Sequence, residues 1–352
     1  MRKRQPSLSN FAATVEREWH KLKLPNDGQT IIVAVSGGAD SSSLLMAIDE
    51  LIGTQRLRLW IIVAHLDHRL RKGSQEDAKW VSELAKKLGY SAIIRAANVR
   101  KRASDASENL EQVARRVRYD FFHKVAQEQS AKLVLTAHTL DDQAETVLLR
   151  LLRGSAAEGL SGIETVRPIK IGSDVLVARP LLSWARREEG ESYCRSRKVR
   201  FRVDEMNQDE RFARVRVRKQ LLPLMQTFNN RIVEALARTA SLLREDAHAL
   251  SDQAESLLCE AKITGEDSDT GLDIPVLQAA PTAVSRRAVR SWIRTHVGDL
   301  RRVEMVHLMA IERLVLGNRG GTIELPNGIR VTRKRKVLSV TVKTVEKRGS
   351  GV

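Results

Sequence analysis

Ile31-Ile-Val-Ala-Val35, followed at once by Ser36-Gly-Gly-Ala-Asp-Ser41, decides the reading of this chain. An unbroken apolar run with four β-branched residues, ended by a glycine pair, reads as a strand buried on both faces. A helix-forming stretch, Ser41–Leu51, follows directly. Between them the two glycines permit a tight turn and leave backbone N–H groups exposed. The hydroxyls of Ser36 and Ser41 and the positive end of the helix dipole add to these donors, making a cradle for a phosphate. The loop lacks the lysine of GxxxxGK[ST] and does not spell GxGxxG. A glycine turn capped by Asp40 or Ser41 is the plain structural alternative.

Outward from this point the pattern repeats. Strand-like runs stand at Leu59–Ala64, Ser91–Arg95, Lys132–Ala137 and Val175–Ala178. Helical patterns lie between and after them at Gln75–Leu88, Ser107–Glu128, Asp142–Leu152 and Trp184–Arg195. Repeated βα units predict an α/β fold, a parallel sheet sandwiched by helices, with ligands at the carboxyl ends of the strands. After Pro223 the pattern changes to a long helix over Asn230–Leu258, a polar loop at Gly265–Gly271, and helices near Pro281–Val297 and Val303–Leu316. Small strands follow over Gly320–Val342, turning at Pro326-Asn-Gly328. The expected division is an α/β domain over 1–222, a helical domain over 223–298 and a small basic α+β part over 299–352.

The chain has 352 residues and a formal net charge of +17. Residues 195–220 contribute +6 and residues 330–348 contribute +7, so 45 residues hold 13 of the 17 charges. Clustering of this kind is the footprint of a polyanion binder, because each neutralised phosphate releases counterions. Neither window interleaves aromatics, so stacking on single-stranded bases is not expected and backbone recognition of a folded nucleic acid is. Two cysteines, Cys194 and Cys259, exclude a disulfide scaffold and a metal or iron–sulfur site held by thiolates of this chain alone. No apolar run approaches a membrane span, and the basic start, Met1 to Pro6, has no apolar stretch after it. A cytoplasmic protein with no membrane partner is expected; oligomeric state is not legible.

Several side chains invite chemistry. Asp141 and Asp142 sit where the fourth strand hands over to a helix, and Asp142 shares a helix face with Glu145. Carboxylates beside a phosphate loop can hold Mg²⁺ or an incoming cationic amine; capping the helix is the alternative. Asp40 is the other metal candidate. Glu108, Glu111, Arg115 and Arg118 fall on one helical stripe, which by spacing alone reads as a solvated salt-bridge face. His65, Asp67 and His68 follow the end of the second strand, and of these Asp67 is the favoured functional group.

The loop resembles the SGGxDS loop of the N-type ATP pyrophosphatases, the PP-loop family, whose members adenylate an oxygen and let a nucleophile displace AMP. Further segments are similar to the tRNA(Ile)-lysidine synthetase family within it: Ala64-His-Leu-Asp-His-Arg-Leu-Arg71; Glu108 with Ala114, Arg115, Arg118 and Tyr119; Thr136-Ala-His-Thr-Leu-Asp-Asp-Gln-Ala-Glu-Thr146; and Leu151-Leu-Arg-Gly-Ser155 with Gly159-Leu160. Asp204, Asn207, Phe212 and Arg214 resemble its later basic segment. Thr139 stands where that family often has a second histidine, and Val215 where it often has asparagine.

The resemblance implies ATP bound by Ser36, Gly37, Gly38, Ala39, Asp40 and Ser41, with Mg²⁺ at Asp40 and Asp142. It implies catalytic roles for Asp40, Arg115, His138 and Asp142, with His138 or Asp142 as the base. Substrate contacts would come from Asp67, Asp142, Glu145, Arg214 and Arg218. The implied reaction joins free L-lysine to C2 of the wobble cytidine of tRNA(Ile) with a CAU anticodon, through an adenylated intermediate. A PP-loop tRNA thiolase and a non-catalytic RNA-binding protein are the alternatives. The separation of the two cysteines argues for a nucleophile from outside the chain.

Overall fold

The computed structural model describes residues 8–70, 73–106, 108–202, 208–263, 271–298 and 303–342. They form two compact units, Met1–Leu242 and Leu243–Val352.

The first unit opens with helix α1 (Asn10–Lys21), capped by the Ser9 hydroxyl and burying Phe11, Val15 and Trp19. Strand β1 (Asp27–Ala34) follows, then α2 (Ala39–Gly53), β2 (Arg58–Asp67), α3 (Ser74–Lys87) and β3 (Ser91–Ala96). Next come α4 (Val99–Ala106), α5 (Leu110–Glu128), β4 (Leu133–Leu135), α6 (Leu140–Leu151) and α7 (Ala157–Leu160). A hairpin of β5 (Val166–Pro168) and β6 (Leu176–Ala178) precedes α8 (Arg187–Ser196). Helix α9 (Ala213–Arg216) runs through a π-helical turn, Val217–Leu221, into α10 (Leu222–Phe228) and on to α11 (Ile232–Ala261).

The strand order is β3-β2-β1-β4-β6-β5, parallel except for the edge pair β5–β6. The continuous apolar run of β1 is explained by cover on both faces. Ile31, Val33 and Val35 pack with α1, α2 and α8, whereas Ile32 and Ala34 pack with Tyr119 and Phe122 of α5. Because β2 and β4 flank β1 from opposite sides, the sheet reverses its winding beside β1. The crevice at such a switch point is where open α/β sheets bind ligands.

The second unit contains β7 (Gly271–Asp273), α12 (Ile274–Ala279), α13 (Thr282–Val297), α14 (Met305–Leu316), β8 (Gly321–Leu325), β9 (Ile329–Lys334) and β10 (Val337–Val342). Its antiparallel sheet runs β7-β10-β9-β8. One core gathers Leu257, Leu277, Trp292, Ile311, Ile329 and Leu338, so elements from before and after residue 298 share it. The turn at Pro326–Gly328 holds Asn327 and Gly328 at φ +66° and +73°, positions suited to those two residue types.

Two readings of the sequence change. The helix expected over 107–128 begins at Leu110, after the Asn109 cap, so Glu108 lies outside it and pairs instead with Arg116 at 2.6 Å. The basic window over 330–348 is not wholly a surface: Arg333 is buried and donates to the carbonyls of Leu314 (2.8 Å), Val315 (2.9 Å) and Gly317, closing the C-terminus of α14. Among the described residues no helix is long and apolar enough to cross a membrane.

Candidate active site

The loop between β1 and α2 is held by its own hydroxyls. Ser41 Oγ accepts from Ser36 N–H (3.0 Å), lies 3.1 Å from Ser36 Oγ and donates to Gly38 O (3.1 Å). Gly37 has φ +93°, which an L side chain resists, and its carbonyl accepts from Arg202 N–H at 2.9 Å. Asp40 lies in the first turn of α2, close against α8. A Cβ at Gly190 would stand 3.4 Å from Asp40 Oδ1 and 3.1 Å from Ser43 Oγ. Asp40 Oδ1 is buried with no hydrogen-bond partner. Burial first, then the charge of Asp142, pushes this carboxyl up to about 7.

Across the crevice, β4 delivers Thr136, His138 and the start of α6. Thr139 caps α6: its N–H donates to Asp142 Oδ2 at 2.9 Å, and its hydroxyl lies 3.3 Å from the same oxygen. Thr139 therefore carries a structural task at its position. Asp141 binds the start of α8, accepting from Arg186 Nε and Arg187 N–H, each at 2.9 Å. Asp142 accepts from Arg187 (2.8 Å) and Arg214 (3.0 Å). Glu145, its side chain fully buried, accepts from Arg187 at 2.8 Å, Arg214 at 2.7 Å and Arg218 at 2.7 Å.

Burial alone would raise both carboxyls. For Asp142 the Arg214 and Arg187 charges outweigh it, and for Glu145 the Arg218 hydrogen bond and Arg187 do, so both are held below the usual carboxylate range. The structure thus brings Asp40, Asp142, Glu145, Arg214 and Arg218 together. The expectation that Asp142 and Glu145 meet an incoming amine directly changes, because arginines from 42 to 73 residues further along the chain already occupy those oxygens. Arg187 and Arg186 were not singled out in the sequence; the only sign of them was their place at the start of a predicted helix. Arg218 sits in the π-helical turn, and Val215 is buried in α9 just before it.

His138 lies 3.1 Å from Thr136 Oγ1. Burial first, then Arg179, pushes its imidazole down to about 3, so it is neutral at physiological pH and a poor proton acceptor. Its expected role as a base loses electrostatic support; the sequence could not place Arg179 beside it. Asp67 is buried at the end of β2 and accepts from Arg69 N–H at 2.8 Å. His65 donates from Nδ1 to the Val35 carbonyl at 2.7 Å, a structural use. Arg115 is exposed and lies over the Tyr119 ring, 5.0 Å from its centroid. Asp204 and Asn207 lie outside the described residues. Cys194 is buried, with its thiol pushed up to about 12 by burial and then by Asp40, while Cys259 is exposed on α11 in the second unit.

Asp40 suits the cation that accompanies a bound nucleotide. Among the described residues no set of three or more His, Cys, Asp or Glu is arranged to hold a metal by itself. Mg²⁺ characteristically takes one or two carboxylates plus substrate phosphates, and an orphaned buried carboxylate oxygen beside a phosphate loop fits that donor set.

The PP-loop domain family matches residues 11–225, and the TilS substrate binding domain family matches residues 272–338. The tRNA(Ile)-lysidine synthase of Gloeobacter violaceus is 38% identical over 82% of this chain and 84% of its own length. The chain belongs to the tRNA(Ile)-lysidine synthase family. The lysidine synthase of Geobacter sulfurreducens is 39% identical over 87% of this chain, and that of Clostridioides difficile is 30% identical over 92%. The chain spans 64% and 68% of the lengths of those two lysidine synthases. The U34-tRNA thiolase NcsA of Methanococcus maripaludis superposes with a TM-score of 0.53 at 12% identity, covering 66% of this chain and 79% of that one, a likeness of fold.

Proposed function

We propose that the chain joins L-lysine to C2 of the wobble cytidine in tRNA(Ile) with a CAU anticodon, in the cytoplasm, consuming ATP and releasing AMP and diphosphate. The observation that carries this reading is the crevice itself. A serine–glycine phosphate loop and the orphaned Asp40 face the arginine-saturated carboxylates of α6, in a chain of this family.

In the first step the loop from Ser36 to Ser41 binds the ATP phosphates, and the cytidine C2 oxygen attacks the α-phosphorus as the α–β P–O bond breaks and diphosphate leaves. Arg115 stabilises charge that develops on the α-phosphate oxygens, because a planar guanidinium matches them bidentately. Asp40, with Asp142 beside it, would hold Mg²⁺, which would supply neutralisation of the phosphate charge. In the second step the lysine ε-ammonium gives up a proton to solvent, the free amine attacks C2 to form the C–N bond, and AMP leaves with the bonding pair of the C–O bond. Glu145 and Asp142 fix Arg187, Arg214 and Arg218 as a cationic platform, which suits the carboxylate end of lysine or a phosphate better than its ammonium. His138 serves as a neutral hydrogen-bonding group, and Asp67 orients the loop after β2 on the substrate side. The functional division is a catalytic part over 1–222, a helical part over 223–298 and a basic part over 299–352, the last two engaging tRNA mainly through its backbone.

The thiolase reading shares the fold but lacks a nucleophile here, since Cys194 is buried with a strongly raised thiol pKa and Cys259 is remote in sequence. The test is incorporation of radiolabelled lysine into an unmodified tRNA(Ile) transcript. ATP-dependent incorporation that fails with a methionine tRNA supports the proposal. Lysine-independent formation of a thionucleoside overturns it in favour of sulfur transfer.

A further inference from the structure

Four arginines near the crevice have no carboxylate partner among the described residues. Arg115 and Arg167 each lie 5.0 Å from the Tyr119 ring centroid. Arg179, 1% exposed, donates to Tyr119 Oη at 2.9 Å and to the Glu164 carbonyl at 2.6 Å, while its Nε is buried with no acceptor at all. Arg118, one turn from Arg115, donates from Nε toward the His68 ring Nε2 at 3.4 Å, with the Glu111 carboxylate acting on it from further off. The contrast with the carboxylate cluster is sharp: there three guanidiniums share Asp142 and Glu145, and here the partners are a neutral phenol, backbone carbonyls and a histidine. A buried guanidinium without a counterion, crowded by further cations, is costly unless a ligand supplies the anion.

We propose that Arg167 and Arg179, edged by Arg115 and Arg118, form a second phosphate site that holds a backbone phosphodiester of the RNA beside the nucleotide being modified. This rests on the lysine-ligase reading for the identity of the RNA. Placement favours a polymer phosphate over the nucleotide's own. The ATP loop leads into α2, which packs on one face of the sheet with Ile31, Val33 and Val35. Tyr119 packs on the other face with Ile32 and Ala34, alongside Val177, two residues before Arg179. The site is also graded in depth: Arg115 is exposed, Arg167 half-buried and Arg179 buried. An entrance of that kind admits a phosphate still joined to a chain. The Arg179 and Arg115 charges draw the Tyr119 phenol down to about 8 against its burial, so it is mostly protonated at pH 7, and an anion that RNA brings to Arg167 and Arg115 adds the negative charge this cluster lacks. The polymer is thereby registered without reading a base.

The test uses the full chain and an unmodified tRNA(Ile) transcript, with binding measured over a series of KCl concentrations and ATP binding measured in parallel. Arg167→Gln carries the test, because among the described residues Arg167 makes only one hydrogen bond, to the Pro168 carbonyl. Arg179→Lys is a second variant, with its fold checked by circular dichroism. The expected result is tRNA affinity weakened about five-fold or more and a salt slope reduced by roughly 0.7–0.9 per lost phosphate contact. ATP affinity should stay within two-fold. Unchanged affinity and slope in Arg167→Gln overturns the inference. So does a parallel loss of affinity for ATP or inorganic diphosphate, which would give the site to the nucleotide. Wild-type protein that fails to bind the transcript at all defeats the ligase reading itself, a different failure from a variant that binds like wild type.

Discussion

Glu145→Gln removes one negative charge from the centre of the carboxylate cluster and changes almost nothing in volume. Glu145 accepts from Arg187 at 2.8 Å, Arg214 at 2.7 Å and Arg218 at 2.7 Å, with its own side chain fully buried. Glutamine offers one acceptor oxygen and turns an amide N–H₂ toward guanidinium donors, so at least one arginine is left facing a donor. Breaking a buried ion pair costs about 3–5 kcal/mol. Two features reduce that figure here: the arginines are 23–30% exposed, and Asp142 still holds Arg187 and Arg214. The expected loss is therefore about 2–3 kcal/mol, and for a unit of this size a melting temperature lower by roughly 4–12 °C. Thermal unfolding followed by circular dichroism at fixed salt measures it. A melting temperature within about 1 °C of wild type would mean that the cluster is not the electrostatic anchor described.

Asp40→Ala should abolish ATP-dependent diphosphate release while tRNA affinity stays within two-fold; equal loss of both would contradict its place at the nucleotide. Arg333→Ala should destabilise the protein by roughly 1–3 kcal/mol through the uncapped carbonyls of α14. Neutralising the exposed Lys334, Arg335 and Lys336 should instead leave stability unchanged and flatten the salt dependence of tRNA binding. Glu50 accepts from Ser9 N–H (2.7 Å), Ser9 Oγ (2.8 Å) and Tyr193 Oη (2.6 Å), tying α1 and α8 to α2. Burial would raise its pKa, but those hydrogen bonds bring it below its ordinary value. Its contribution is thus present above about pH 4.5 and lost as pH falls through the lowered pKa. Glu50→Gln should cost about 1–3 kcal/mol at pH 7 and converge on wild type in acid. Denaturant titrations at pH 7 and pH 3 check it.

How far the sequence reached depends on the range of the interactions involved. The strand–glycine–helix junction at 31–41 is local, and both the phosphate loop and the sheet followed from it. Helix α1 was not anticipated, although Phe11, Val15 and Trp19 have helical spacing. The antiparallel β5 was invisible because three residues, Val166–Pro168, carry too little periodicity. At the site, the residues on α2 and α6 were legible because motif and chemistry coincide in one short stretch. Arg179, Arg186 and Arg187 were not, because an arginine in a basic chain looks like any other until the fold sets it beside a phenol or a carboxylate. The same limit made Arg333 read as surface charge: its acceptors are the last carbonyls of α14, up to 19 residues before it.

The most direct test of the central claim is to incubate the protein with ATP, L-lysine and an unmodified tRNA(Ile) transcript, digest the RNA, and identify the nucleoside at the wobble position by mass spectrometry. The account predicts cytidine carrying one lysine at that position alone, formed only when both ATP and lysine are present. An unmodified cytidine, a thionucleoside, or lysine attached elsewhere in the transcript would contradict it.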